Sequence, residues 1–203
     1  AGIQGLFILV GHSFGSHIVR LFASQYPQEV VGIILVDGSP EGQREYFQKA
    51  MTFRERFVDE AQWQIYRLRP FLAQIGILRL RKQPNGYINA LPEEIKPIAT
   101  AIGLQSKAYD WVWSEAPCID ATNEEVKRSI LPDHIQSTIL TAGKSIPMEE
   151  KQVIWLELQK NLASRMPNCS HTLVEESGHF IHLEKPEKVI EAICQMVIKC
   201  RQS

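Results

Sequence analysis

Gly5-Leu-Phe-Ile-Leu-Val-Gly-His-Ser-Phe-Gly-Ser16 runs from an apolar stretch into the pattern G-x-S-x-G, with Ser13 at its centre. Leu6 to Val10 is unbroken by polar residues, as expected of a parallel strand buried on both faces. Beyond the motif, Ile18, Val19, Leu21, Phe22 and Ala23 recur with a helical period. A serine on such a strand-to-helix turn is thrust out above the sheet, which makes the segment read as a nucleophile elbow. Gly11 and Gly15 are both expected to be there because side chains would collide with the turn. The rival reading makes Ser13 a plain helix cap; the strand before it and the helix after it favour the elbow.

A serine is a weak nucleophile at its free pKa and needs a base. Towards the other end the chain reads His171-Thr-Leu-Val-Glu-Glu-Ser-Gly-His179-Phe-Ile-His182-Leu-Glu-Lys-Pro186-Glu187, followed by a helix with Val189, Ile190, Ile193, Met196 and Val197 on its expected apolar stripe. His179 follows a short strand, Thr172 to Val174, and precedes a proline-started helix, so it belongs to a strand-end loop. An early serine elbow and a late S-G-H loop followed by H-x-E-x-P together resemble the alpha/beta-hydrolase family over residues 5–40 and 134–198. The resemblance implies an α/β fold: a parallel sheet, here its C-terminal half of four strands with flanking helices, carrying a helical cap insertion. On that reading residues 1–40 are core with the elbow, 41–132 the cap, and 133–203 core with the histidine loop.

The same resemblance calls for a carboxylate that orients His179. Family members usually carry it in a G-x-x-D turn after the strand that follows the cap. Here that strand is Ile135 to Thr141, the turn reads Gly143-Lys-Ser-Ile-Pro147, and Ile146 stands where the aspartate is expected. A minority of the family place the acid after the strand that follows the elbow helix, where this chain has Asp37 at the end of Val30 to Val36. Asp37 is the first candidate and Glu149 or Glu150 the alternative. The two glutamates fall in the first turn of the next helix, where the helix dipole alone favours them. Phe14, directly after the nucleophile, is expected to offer its N–H to an oxyanion. The second amide of such a hole comes in the family from a loop before the elbow, and four or more strands precede the elbow there. The expectation is therefore a C-terminal portion of a longer protein, whose first strand would be left as an apolar edge open to pairing.

Residues 41–132 lose the strand–helix alternation. Candidate helices lie near 43–69, 92–113 and 123–130, broken by Pro70, Gln83-Pro84-Asn85-Gly86 and Pro117. Phe53, Phe57, Trp63, Tyr66, Phe71, Trp111 and Trp113 are expected to build mainly the insertion's own core, with the remainder lining a pocket for an apolar acyl or aryl substrate. Phe71 to Leu80, with Arg79, Arg81 and Lys82, could also lie on a membrane surface, although one apolar face is required of any cap helix.

The chain has 203 residues, 44% hydrophobic, and a formal net charge of −1, so it lacks the basic footprint of a nucleic-acid binder. Cys118, Cys169, Cys194 and Cys200 have no framework spacing, which favours a reduced, cytoplasmic setting over a disulfide scaffold. Cys194 and Cys200 are expected to pack on the last helix. No stretch reaches the length of a membrane span, and no secretory signal is visible. His12, His17, His134, His171 and His182 show no ligand spacing with carboxylates or cysteines, so neither metal nor cofactor is expected. His182 is expected to shape its loop and His12 to give packing or hydrogen-bonding support. The expected function is a serine hydrolase: Ser13 attacks a small ester or thioester, His179 carries the proton, Asp37 orients His179. The alternative is a non-catalytic binding module or relic lacking a complete oxyanion hole.

Overall fold

A computed structural model describes residues 5–81, 86–146 and 149–202. The chain begins β1 (Phe7–His12), α1 (Gly15–Gln25), β2 (Val30–Val36). It continues through α2 (Gln43–Ala50), α3 (Phe53–Tyr66), α4 (Arg69–Gln74), α5 (Ile77–Arg81), α6 (Lys96–Gly103), α7 (Trp111–Ser114) and α8 (Ile119–Arg128). It ends β3 (Gln136–Ala142), α9 (Glu149–Arg165), β4 (Cys169–Val174), α10 (Ile181–Glu184), α11 (Pro186–Gln202). The chain divides into two compact units, residues 1–47 with 121–203, and residues 48–120.

In the first unit the four strands pair in parallel in the order β1-β2-β3-β4. Parallel neighbours need crossovers, and each connection here contains a helix. The side-chain period of two sorts β2 cleanly. Ile34 and Val36 join Leu140, Ala142 and Val174 under α10 and α11, through Ile181, Val189, Ala192 and Met196. Ile33 and Leu35 face the other way, with Ile135 and Ile139, against Ala23 of α1 and Leu162 of α9. The result is a sheet covered on both faces. Gly32 permits close approach of α11, since a Cβ there would stand 2.8 Å from Met196 Sδ.

Three expectations need correction. Leu6 to Val10 is only partly buried: Ile8 and Leu9 pack against the clusters on opposite faces of the sheet, whereas Leu6 and Val10 are exposed, and β1 stands at an edge of the described sheet. On α11 the buried stripe is Val189, Ala192 and Met196, spaced three and four apart; Ile190 is exposed. Cys194 lies off that stripe and is exposed, whereas Cys200 packs against the core. Burial pushes the Cys169 thiol up to about 11, which leaves it a poor nucleophile.

The second unit, residues 48–120, is helical with its own small core of Ala73, Tyr109 and Val112, joined by Tyr66, Leu78 and Trp111. Trp63 stacks on Tyr66, and Arg69 lies 4.8 Å over the Tyr66 ring. Phe53, Phe57, Phe71 and Trp113 are exposed rather than part of that core. The expected helix over 43–69 is interrupted because Thr52 starts a fresh helix: its side chain accepts from Glu55 N while the Glu55 carboxylate takes the Thr52 N–H, a reciprocal capping box. The Gln83 to Asn85 part of the expected turn and Lys82 lie outside the described residues. Among the described residues, no helix is long and apolar enough to cross a membrane.

Candidate active site

The end of β1 forces the chain through a tight reversal. Ser13 has φ 52°, the left-handed region that costs most residues strain. Ser13 is held by its N–H to Val36 O, 3.2 Å, while its carbonyl accepts from Ser16 N and Ser39 N, both 3.0 Å. A Cβ on Gly11 would stand 2.6 Å from Gly15 O and 2.8 Å from Val19 Cγ2, so only glycine fits there. Gly15 departs from the expectation: a Cβ there would meet nothing within 4 Å. The crowding is between the Gly11 side-chain position and the Gly15 backbone, so one glycine relieves it. Phe14 is the N-cap residue of α1, so helix geometry supplies its N–H with no intrahelical acceptor.

His179 comes from the loop between β4 and α10. Gly143 N donates to Val174 O, and Lys144 N to Ser177 O, both 2.9 Å, tying this loop to the turn after β3. Gly178 N donates to Glu184 Oε2 at 2.7 Å, which gives the glutamate of the H-x-E-x-P pattern a concrete task. His12 Nε2 donates to the His179 carbonyl at 2.9 Å, as support from the elbow side. The rings of His12 and His182 meet edge-on, centroids 4.4 Å apart, and His12 lies 4.6 Å from His179. Burial, and next the neighbouring His179, holds His182 below the ordinary imidazole value; burial outweighs the His179 carbonyl bond and lowers His12 as well.

These elements bring three of the expected side chains together. His179 Nε2 is 2.9 Å from Ser13 Oγ, and Nδ1 is 2.7 Å from Asp37 Oδ2. Asp37 is fully buried at the end of β2, with φ 43°, a conformation aspartate tolerates better than most residues. Its Oδ1 accepts from Ala142 N, 2.9 Å, and from the Trp155 indole Nε1, 3.0 Å; its Oδ2 accepts from Ser145 Oγ, 2.5 Å, beside His179. With the imidazole Nδ1–H, the carboxylate therefore has four donors in place of water, which is what a buried charge requires. Glu150 is exposed and makes no contact with His179 among the described residues. The Glu149 side chain lies outside the described residues.

Sequence reasoning missed Ser145 and Trp155. Ser145 sits one residue before Ile146, in the turn that lacks the expected acid. Trp155 is 4% exposed on a face of α9 shared with Gln152 and Gln159, both buried. Gln152 bridges Ile146 N and Ala142 O, and Gln159 donates to Gly38 O at 2.6 Å. Polar residues at spacings of three and four on an otherwise core-facing helix were the available signal.

Beneath the segment after Asp37 lies a second buried charge. Glu41 pairs with Arg20 of α1 and, at 2.9 Å, with Arg165 of α9. Burial pushes the Glu41 carboxyl up, but Arg20 and then Arg165 outweigh it and hold it at about 2. Among the described residues, no group of His, Cys, Asp or Glu is placed to hold a metal.

Residues 2–192 match the model of the alpha/beta hydrolase family. Abhydrolase domain-containing protein abhd-5.2 of Caenorhabditis elegans is 24% identical over 198 residues, which cover 91% of this chain and 41% of that protein. Among solved structures, a candidate lipase of Acinetobacter baumannii superimposes with a TM-score of 0.60 at 19% identity, covering 98% of this chain and 62% of its own. A structure from work on carboxylesterases of Nitrososphaera gargenis gives 0.53 at 16%, covering 98% and 66%. At these identities the structural likeness is one of fold. The chain spans less than half of the curated relative and less than two thirds of these two structures.

Proposed function

The chain belongs to the alpha/beta-hydrolase family, and on that premise we propose that it is a serine hydrolase acting on a small ester, thioester or similar acyl compound. One observation carries the reading: Ser13 Oγ, His179 and Asp37 form an unbroken hydrogen-bonded chain within one compact unit. Asp37 accepts the Nδ1 proton and so fixes the tautomer in which Nε2 is free to act as base. Ser13 Oγ attacks the acyl carbon as its proton passes to Nε2. The oxygen turned negative is received in part by Phe14 N–H. Collapse of the tetrahedral species breaks the bond to the leaving group, which takes the proton from Nε2. Water then attacks the acyl-enzyme, gives its proton to Nε2, and Ser13 leaves with it as the free acid departs.

The test is labelling with a fluorophosphonate, whose phosphorus bonds to an activated serine oxygen as fluoride leaves. The wild-type protein should label at Ser13; Ser13→Ala and His179→Ala should not. Labelling that persists in Ser13→Ala would remove the nucleophile assignment. A second reading, a binding module without catalysis, draws on the oxyanion site, for which the described residues offer Phe14 N–H but no assigned second donor. A folded wild-type protein that binds the probe scaffold but never bonds to it would favour that reading.

A further inference from the structure

We infer that Ser145 is a positioning residue for the Ser13–His179–Asp37 site, its hydroxyl clamping the same carboxylate oxygen that orients His179. The inference rests on the serine-hydrolase reading above. Ser145 Oγ is 2.5 Å from Asp37 Oδ2 and 3.4 Å from His179 Nδ1, while Nδ1 to Oδ2 is 2.7 Å. These distances allow one arrangement of protons. An ionised carboxylate can only accept, so both Nδ1–H and the Ser145 hydroxyl must point at Oδ2. The hydroxyl proton is then committed to Asp37, and the longer 3.4 Å approach to Nδ1 is a neighbour contact rather than a competing bond.

Two consequences follow. The carboxylate is fixed from both ends, Oδ1 by Ala142 N and Trp155, Oδ2 by Ser145, so Oδ2 keeps its place against Nδ1 when Nε2 takes up a proton. The hydroxyl also draws on the negative charge that faces the imidazolium, because a charge-assisted bond to Oδ2 stabilises the carboxylate by itself. Removing it returns that charge to His179 but also lets Oδ2 move away from Nδ1, and the lost positioning, which bears on the transition state, sets the rate. The other ionisable groups facing His179 are few. His12 and His182 pack against its ring or against one another, and Asp37 is its acceptor. Lys144 on the adjoining turn is paired with Glu176, and Glu184 is turned to Gly178 N.

Ser145 immediately precedes Ile146, which stands where the acid is expected, and a donor in that turn is what a carboxylate arriving from β2 needs. The assay is the rate of fluorophosphonate bonding to Ser13, and of p-nitrophenyl butyrate turnover, from pH 5 to 9 in the full-length protein. Ser145→Ala should lower the plateau rate roughly tenfold, the scale of one hydrogen bond to a charged group, with KM little changed and the acid limb moved to higher pH. Ser145→Thr, which keeps the hydroxyl, should restore both rate and profile. A Ser145→Ala protein with wild-type rate and profile overturns the inference and leaves the serine-hydrolase reading standing. A Ser145→Thr protein as impaired as Ser145→Ala also overturns it, since the hydroxyl would then not be the operative group. A wild-type protein with no Ser13-dependent reaction removes the parent reading and this one with it.

Discussion

Glu41 is 6% exposed and sits four residues beyond Asp37, held by Arg20 of α1 and Arg165 of α9. Arg20 is itself buried, with Nε and Nη1 lacking a partner among the described residues, so Glu41 is the group that makes its charge tolerable. Replacing Glu41 with Gln should therefore be costly. Held at about 2 against an ordinary 4.5, the carboxylate stabilises the folded chain at neutral pH by about 3 kcal/mol, at 1.36 kcal/mol per pKa unit. Breaking one partner of a buried pair costs about 3–5 kcal/mol by analogy with measured cases, so the two routes agree. The sign is fixed by the direction of the shift. A carboxyl lowered on folding contributes fully above its unfolded value, and the contribution disappears as pH falls from about 4.5 through about 2. Urea unfolding followed by tryptophan fluorescence, at pH 7, 4.5 and 3, should show a wild-type advantage over Glu41→Gln of about 3 kcal/mol that shrinks at each step down. An advantage under about 1 kcal/mol at pH 7, or one that stays constant with pH, would refute the reasoning.

Asp37→Asn should cut turnover by about four orders of magnitude through loss of the productive tautomer, while Glu150→Gln should change it by less than about threefold, as a surface substitution does; steady-state ester hydrolysis decides between them, and a reversed pattern would move the acid to α9. Gly11→Ala should destabilise or misfold the elbow, because its Cβ would stand 2.6 Å from backbone oxygen, whereas Gly15→Ala, with nothing within 4 Å, should be tolerated and leave the thermal midpoint within a few degrees; equal loss in both would show that the crowding has been misjudged.

The elbow and histidine loop were legible because each combines a local pattern with a strand before it and a helix after it. β2 was readable to the residue, since Val30 to Val36 is apolar throughout and its core placement gives no choice of face. Two kinds of error had physical causes. Apolar content alone does not report how far each residue of a strand is covered, so the exposure of Leu6 and Val10 could not be read from it. Helical periodicity does not report interruptions made by capping, so the box at Thr52 was not seen within 43–69. Ser145 and Trp155 were missed for a different reason. Their partners lie 108 and 118 positions away in sequence, and nothing in either local segment announces a contact with Asp37.

The geometry also explains how an acid at the end of β2 reaches a histidine loop after β4. β2 and β3 are parallel, with Val36 opposite Leu140, so β2 ends beside Leu140 and β3 runs on two residues further to Ala142. Asp37 N donates to Leu140 O at 2.7 Å, and the side chain then crosses the end of β3 to accept from Ala142 N. A carboxylate starting on β2 thus occupies the space beside the turn where one starting after β3 would stand. That displacement changes what its surroundings must supply. The turn from Gly143 to Ile146 no longer has an acid of its own to project, and contributes a donor through Ser145. α9 presents Gln152, Trp155 and Gln159 along one face to this region, satisfying the strand-end carbonyls of Ala142 and Gly38 and the Oδ1 of Asp37. A buried carboxylate is tolerated only when donors replace its water on every side. The polar face of α9, which apolar periodicity alone would count as a defect, is therefore the structural counterpart of an acid placed on β2.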